Sequence, residues 1–174
     1  MKNWYLFLIF VLIAGTAFSG EPSGRIADLQ PELKEALTHD DACVRTSADP
    51  LQNPVETQDI VFGGHASGVI AAPQDECDCH NGNCSTFVYL KSGETYKLAL
   101  EDRFASLHPM KISKNGLPSL SGKVQINAAE EETTIYDWNG KAYQPSLCAT
   151  VTQRKNVRTP SIARHPCKSP VKRD

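Results

Sequence analysis

The sequence has no apolar run long enough to span a membrane, no serine in a G-x-S-x-G elbow and no glycine-rich phosphate loop after a strand. Each absence closes a class of function. A membrane-crossing helix needs about 20 predominantly apolar residues, and the apolar stretch from Trp4 to Ala14 is shorter. The serine elbow exposes the nucleophile of α/β-hydrolases, and the strand–loop–helix that cradles a nucleotide requires the missing glycines. The spaced oxygens and closing glutamate of an EF-hand are missing as well, because Asp137-Trp138-Asn139-Gly140 shares only a fragment of that loop. No internal repeat is present.

What is there begins with an export signal. Lys2 precedes the apolar stretch, and Gly15-Thr16-Ala17-Phe18-Ser19 follows it with the small residues a signal peptidase reads. This predicts residues 1–19 as a signal peptide cleaved after Ser19. No basic stop-transfer cluster follows, and no cysteine stands at the cleavage point to carry a lipid. The expected protein is therefore secreted or periplasmic, without a stable membrane anchor. Residues 20–152 are expected to form a single domain and residues 153–174 a basic, disordered tail. Charge divides along the same line: 19 acidic against 10 basic residues between Gly20 and Thr152, and 7 basic against 1 acidic from Gln153 to Asp174. The tail reads as solvated or lying on the acidic body, and nucleic acid is not expected as a partner.

The cysteines carry the most information. All six, Cys43, Cys77, Cys79, Cys84, Cys148 and Cys167, lie beyond the signal. An even number in an exported chain reads as disulfides, with 15 possible connectivities. Three of them fall with a histidine inside Cys77-Asp78-Cys79-His80-Asn81-Gly82-Asn83-Cys84. One reading is a metal site, since Cys77, Cys79, His80 and Cys84 have the donor types of structural zinc. The spacing C-x-C-H-x3-C argues against it, because it is not a pair of C-x2-C knuckles and it crowds Cys79 against His80. Oxidising surroundings favour disulfides. A strained, redox-active Cys77–Cys79 disulfide is disfavoured in turn, because Asp75, Glu76 and Asp78 oppose the thiolate that exchange chemistry needs. The preferred reading is a loop closed onto Cys84 from Cys79 or Cys77. With Cys79 closing that loop, elimination would join Cys43 to Cys77, and Cys148 to Cys167.

The rest of the chain divides by hydrophobic period. Ile26, Leu29, Leu33, Ala36 and Leu37 fall at spacings of three and four, which predicts a helix over Arg25 to His39 with Pro31 at its start or at a break. Asp40-Asp41 opposes the macrodipole at a helix end, so the helix either stops near Thr38 or the pair caps a further turn around Cys43. From Asp59 onward the signals are β. Short strands flank Gly63-Gly64, and Thr86 to Leu90 returns through Thr95 to Leu100 as a hairpin. Leu107 to Ile112 and Lys123 to Asn127 are predicted strands around a loop, Ser113 to Gly122. Thr133 to Trp138 returns through Lys141-Ala142-Tyr143 at Asn139-Gly140, a strong hairpin signal. The expected fold is α+β: an N-terminal helix packed on an antiparallel β-meander, braced by disulfides.

No catalytic constellation emerges. His39, His65, His80, His108 and His165 are scattered, and no serine or cysteine is marked as paired with a base. Glu130-Glu131-Glu132 reads as a solvated loop. Tyr89, Tyr96, Tyr136, Trp138 and Tyr143 read as cross-strand packing. No cofactor and no enzymatic activity are expected. If the protein binds something, the projecting loop is the expected place, through Asp78, His80, Asn81 and Asn83.

The Cys79-x4-Cys84 loop ahead of Thr86-Phe87-Val88-Tyr89-Leu90, with the closing Tyr136-Asp137-Trp138-Asn139-Gly140-Lys141-Ala142-Tyr143, resembles a loose group of small exported bacterial proteins of unassigned function. The likeness spans roughly Ile26 to Cys148. It implies the fold and the cysteine-bracketed loop, and it carries over no catalytic residue. In place of the Asp-rich turn many of that group carry, this chain has Phe62-Gly63-Gly64-His65. Two functions follow as expectations: an exported binding domain, specifically an inhibitor of a lysozyme-type cell-wall hydrolase, or a Cys/His metal-binding protein.

Overall fold

The computed structural model describes residues 24–153 and 159–167. The expected signal peptide, and the tail apart from Gln153 and residues 159–167, lie outside the described residues. Most of the described chain is antiparallel β-sheet, in two sheets rather than the one meander expected. The first holds β1 (Gly24–Arg25), β2 (Pro54–Phe62), β3 (His65–Pro73), β4 (Cys79–His80), β5 (Asn83–Ser92) and β6 (Thr95–Phe104). β5 is its centre: β6 pairs along one side, while β3 and β4 share the other. The second holds β7 (Ser106–Lys114), β8 (Leu117–Asn127), β9 (Glu130–Trp138), β10 (Tyr143–Thr152) and β11 (Ser161–His165), side by side in that order.

Only Ala105 separates β6 from β7, and its N–H donates to the Lys123 carbonyl at 2.7 Å. The chain therefore passes from sheet to sheet without leaving the hydrogen-bonded ladder. Strand alternation explains why two sheets are needed. Along β5, Phe87 and Tyr89 face one way and Val88 the other, and all three are buried, so the first sheet must be covered on both faces. Val88 joins Ile60, Ile70, Leu100, Phe104, Leu107, Leu120 and Tyr136 in the core between the sheets. Phe87 and Tyr89 join Val55, Val69, Ile26, Leu33, Leu37 and Val44 in a second core beneath the helices. Each such large side chain stabilises by about 1.5–3 kcal/mol when fully buried.

The helical layer consists of a 3-10 turn at Ile26–Asp28, α1 (Pro31–Asp40) and α2 (Ala42–Thr46). Pro31 takes the first helical position, where its missing N–H has no helical acceptor to lose. Asp41 closes α1 by donating its N–H to Leu37 O at 2.9 Å. Its side chain caps α2, with Oδ1 accepting from Cys43 N at 2.8 Å and Val44 N at 3.2 Å.

Several boundaries differ from the sequence reading. Ser113 to Gly122 is no loop: the chain reverses at Asn115-Gly116, with φ of 52° and 90°, and β8 starts at Leu117. Both residues sit in the left-handed region that a tight hairpin demands and that Asn and Gly tolerate best. Glu130 to Glu132 open β9 instead of lying in a loop, and Glu131 pairs with Lys123 at 3.1 Å. β10 resumes only at Tyr143, because Asn139 Oδ1 accepts from Lys141 N and Ala142 N and so widens the turn. The tail expected to be disordered contributes β11, paired with β10 from Cys148↔His165 to Thr152↔Ser161. An edge strand with little apolar periodicity leaves only a weak signal in sequence, since ladder hydrogen bonds and a disulfide hold it.

Candidate functional site

The cysteines tie the layers together at three points. Cys43 of α2 bonds Cys77 in the loop after β3, Cys79 of β4 bonds Cys84 of β5, and Cys148 of β10 bonds Cys167 after β11. Among the described residues no cysteine is free. The sulphurs of Cys77, Cys79 and Cys84, the donors of the zinc alternative, are joined in disulfides here, and a bridged sulphur has no thiolate to give a metal. His80 is exposed beside them. Three disulfides fit an oxidising compartment. Among the described residues no helix is long and apolar enough to cross a membrane.

Cys79↔Cys84 and His80↔Asn83 are register partners, so the cysteine-bracketed loop is a minimal hairpin turning on Asn81-Gly82, with φ of 50° and 75°. Its tip alone projects: His80, Asn81 and Gly82 are exposed. The other two expected contact residues face inward. Asn83 is 8% exposed and bridges the sheets, its Nδ2 donating to Gln125 O at 2.9 Å and its Oδ1 accepting from Gln125 N at 2.7 Å. Asn83→Ala orphans both backbone groups of Gln125, and urea denaturation should show a loss of about 2 kcal/mol. No measurable loss would mean water replaces the bridge.

Asp78 is 1% exposed and sits under the loop beside Asp41, itself 2% exposed. One ligand-type atom from each of Asp41, Asp78 and Cys43 lies within 4.8 Å of the others. Asp75 adjoins them, with Oδ1 accepting from Asp78 N at 2.9 Å and Oδ2 from Asn53 Nδ2 at 2.8 Å. Burial, then the charges of Asp41 and Asp75, push the Asp78 carboxyl up to about 8. Burial also raises Asp41, against the two backbone N–H groups that favour its anion. The sequence showed these aspartates only as a cap and a loop residue. The signal that could have joined them is the bridge, since Cys43 follows Asp41 by two positions and Cys77 directly precedes Asp78.

The second feature is a groove of about 450 Å³ between α1 and β6. Glu32, Glu35, His39 and Asp40 form its helical wall, and Thr95, Tyr96 and Leu98 come from the strand. Tyr96 is anchored through its hydroxyl, which donates to Gln30 Oε1 at 3.2 Å, while Leu98 is 40% exposed. His39 is held by Asp40 at 2.9 Å. The groove thus combines an apolar strand side with a carboxylate wall, and its lining includes no lysine or arginine.

The fold and these features define a disulfide-braced domain of two β-sheets with a helical layer on one. No family model, curated protein or solved structure matches the chain.

Proposed function

We propose that this is an exported, non-catalytic binding domain that takes a basic protein partner, with a lysozyme-type cell-wall hydrolase as the specific candidate. The observation that carries the reading is the α1–β6 groove, where three carboxylates stand over Tyr96 and Leu98. Acidic surface of that kind steers a basic partner into contact, and the adjoining apolar side chains supply area that excludes water. The disulfide-closed tip His80-Asn81-Gly82 is a second contact element. Its ends are covalently joined by Cys79–Cys84, so it enters a cleft with little further ordering cost. Export by cleavage near Ser19, in the periplasm or outside the cell, would deliver the domain to such enzymes. The resemblance to small exported bacterial proteins is in keeping with that location.

The test is inhibition and calorimetric binding against a panel of lysozymes of different structural types, with an unrelated basic protein as control. The expected result is saturable binding and inhibition of at least one lysozyme. Glu32→Lys with Glu35→Lys should weaken it by about tenfold or more, mainly through slower association at low salt. Both residues are exposed, so the fold survives the change. Absence of binding and inhibition across the panel removes the hydrolase reading. Equal binding to the control protein reduces the groove to unspecific charge attraction.

A further inference from the structure

Three carboxyl oxygens beside the Cys43–Cys77 bridge have no hydrogen-bond donor: Asp41 Oδ2 and both oxygens of Asp78. All three are shut away from water. An ionised carboxylate buried without donors is strongly disfavoured, and two held side by side cannot both ionise. The surroundings do not relieve them. Asp75, in the loop after β3, uses its oxygens on Asp78 N and Asn53 Nδ2 and adds a third negative charge. Asp40, at the end of α1, is occupied with His39. The buried Tyr89 phenol of β5 faces Asp40 and Asp41 and is itself acted on by Glu101 of β6. Arg45 of α2 donates to the His39 carbonyl. Among the described residues no lysine, arginine or histidine pairs with Asp41 or Asp78.

We propose that Asp78 is a neutral carboxylic acid donating its proton to Asp41 Oδ2, and that this shared-proton pair latches the Cys77–Cys84 loop onto α2. The asymmetry of the pair assigns the proton. Asp41 Oδ1 takes two backbone N–H bonds at the start of α2, which stabilise its anion, whereas the Asp78 carboxyl takes none. One O–H···O⁻ bond then satisfies Asp41 Oδ2 and leaves only a neutral carbonyl oxygen on Asp78. The raised titration of Asp78 points the same way. A cation is the poorer occupant, because a hard divalent ion takes about six to eight oxygens. The pocket offers three free ones beside a disulfide sulphur. The Cys43–Cys77 bridge keeps the carboxyls together whatever their charge, so the proton, not separation, must resolve the repulsion.

The pair makes the loop pH-sensitive. Unfolded, Asp78 ionises near the ordinary aspartate value of about 4; folded, it does so at about 8. Between those values the folded state holds a proton that the unfolded state has released. Stability therefore falls as pH rises through that window and levels off above it. Past the upper end the pair becomes two facing anions and the loop loosens. The amides held there (Asp78 N, Cys79 N on Asp75 O, and Ser85 N on Asp78 O) should lose hydrogen-exchange protection before those of β9.

Carbon-detected NMR of the aspartate carboxyls in the unmodified protein tests this directly. The Asp78 carboxyl should remain protonated at mildly acidic pH and titrate far above the other aspartates. Titration in the ordinary aspartate range would overturn the proposal. In parallel, the unfolding temperature of the unmodified protein should fall between pH values of about 5 and 8, while Asp78→Asn, which keeps a permanent donor toward Asp41, should flatten that decline. An unchanged slope in Asp78→Asn would also overturn it. So would a calcium-dependent rise in unfolding temperature at alkaline pH that the variant lacks, since that would make the occupant a cation.

Discussion

Replacing Cys43 and Cys77 together by serine should lower the unfolding free energy by about 3–4 kcal/mol, the largest effect among the three bridges. The bridge closes a sequence separation of 34 residues, against 19 for Cys148–Cys167 and 5 for Cys79–Cys84. In the chain-entropy account, a bridge stabilises by restricting the unfolded chain, and it does so more as the closed loop lengthens. Urea midpoints of the three double-serine variants should therefore rank in that order. Removing Cys43–Cys77 also lets Asp41 and Asp78 part, so Asp78 should then titrate nearer the ordinary aspartate range. A larger loss from Cys79–Cys84 than from Cys43–Cys77 would show that local geometry, not loop closure, dominates.

The second large effect is expected at Gly68. A Cβ there would lie 2.2 Å from the Tyr89 carbonyl oxygen and 3.2 Å from Leu90 Cα. Both atoms belong to the backbone of β5, the central strand of the first sheet, so neither can swing aside as a side chain does. Gly68→Ala has to push β3 away from β5, disturbing both cores that meet along Phe87 to Leu90. The expected loss is about 3 kcal/mol, at the upper end of overpacking costs. Gly122→Ala is the informative comparison. Its Cβ would meet the buried Phe104 ring at 2.5 Å, and a side-chain ring can shift where backbone atoms cannot, so about 1–2 kcal/mol is expected. Equal losses from the two substitutions, measured by denaturant unfolding, would contradict this reading of the β3–β5 contact.

Much of the β-structure was legible because it is written locally. Thr86 to Leu90 and Thr95 to Leu100 carry β-branched and aromatic residues around a glycine turn, and they lie in β5 and β6. Asn-Gly gave a more instructive result. It occurs at Asn81-Gly82, Asn115-Gly116 and Asn139-Gly140, and the sequence reading used only the last as a hairpin. The structure makes two-residue reversals of the first two and a wider turn of the third, because the Asn139 side chain caps the following amides. Pro118 and Gly122 hid the Asn115 hairpin by suggesting a loop. In fact Pro118 pairs with Ser113, and its carbonyl accepts the Tyr143 hydroxyl at 2.9 Å.

The division into two sheets was not legible. It depends on which faces of β5 and β6 are covered, and that is set by residues far apart in sequence, such as Ile60 and Tyr136. The candidate site was half visible. The cysteine loop was read from its composition, but periodicity cannot show that Asp78 and Asn83 turn inward while His80 and Asn81 remain outside. The α1–β6 groove was invisible for the same reason, since helix and strand meet only through the fold.

The central claim is that the cysteine cluster is a covalent brace and not a metal centre, and peptide mapping of the protein made in an oxidising compartment tests it most directly. Digestion without reduction, followed by mass spectrometry, should recover the linked pairs Cys43–Cys77, Cys79–Cys84 and Cys148–Cys167 with no free thiol. Free thiols at Cys77, Cys79 and Cys84 together with stoichiometric zinc would contradict the brace, the buried carboxyl pair and the rigid loop tip together.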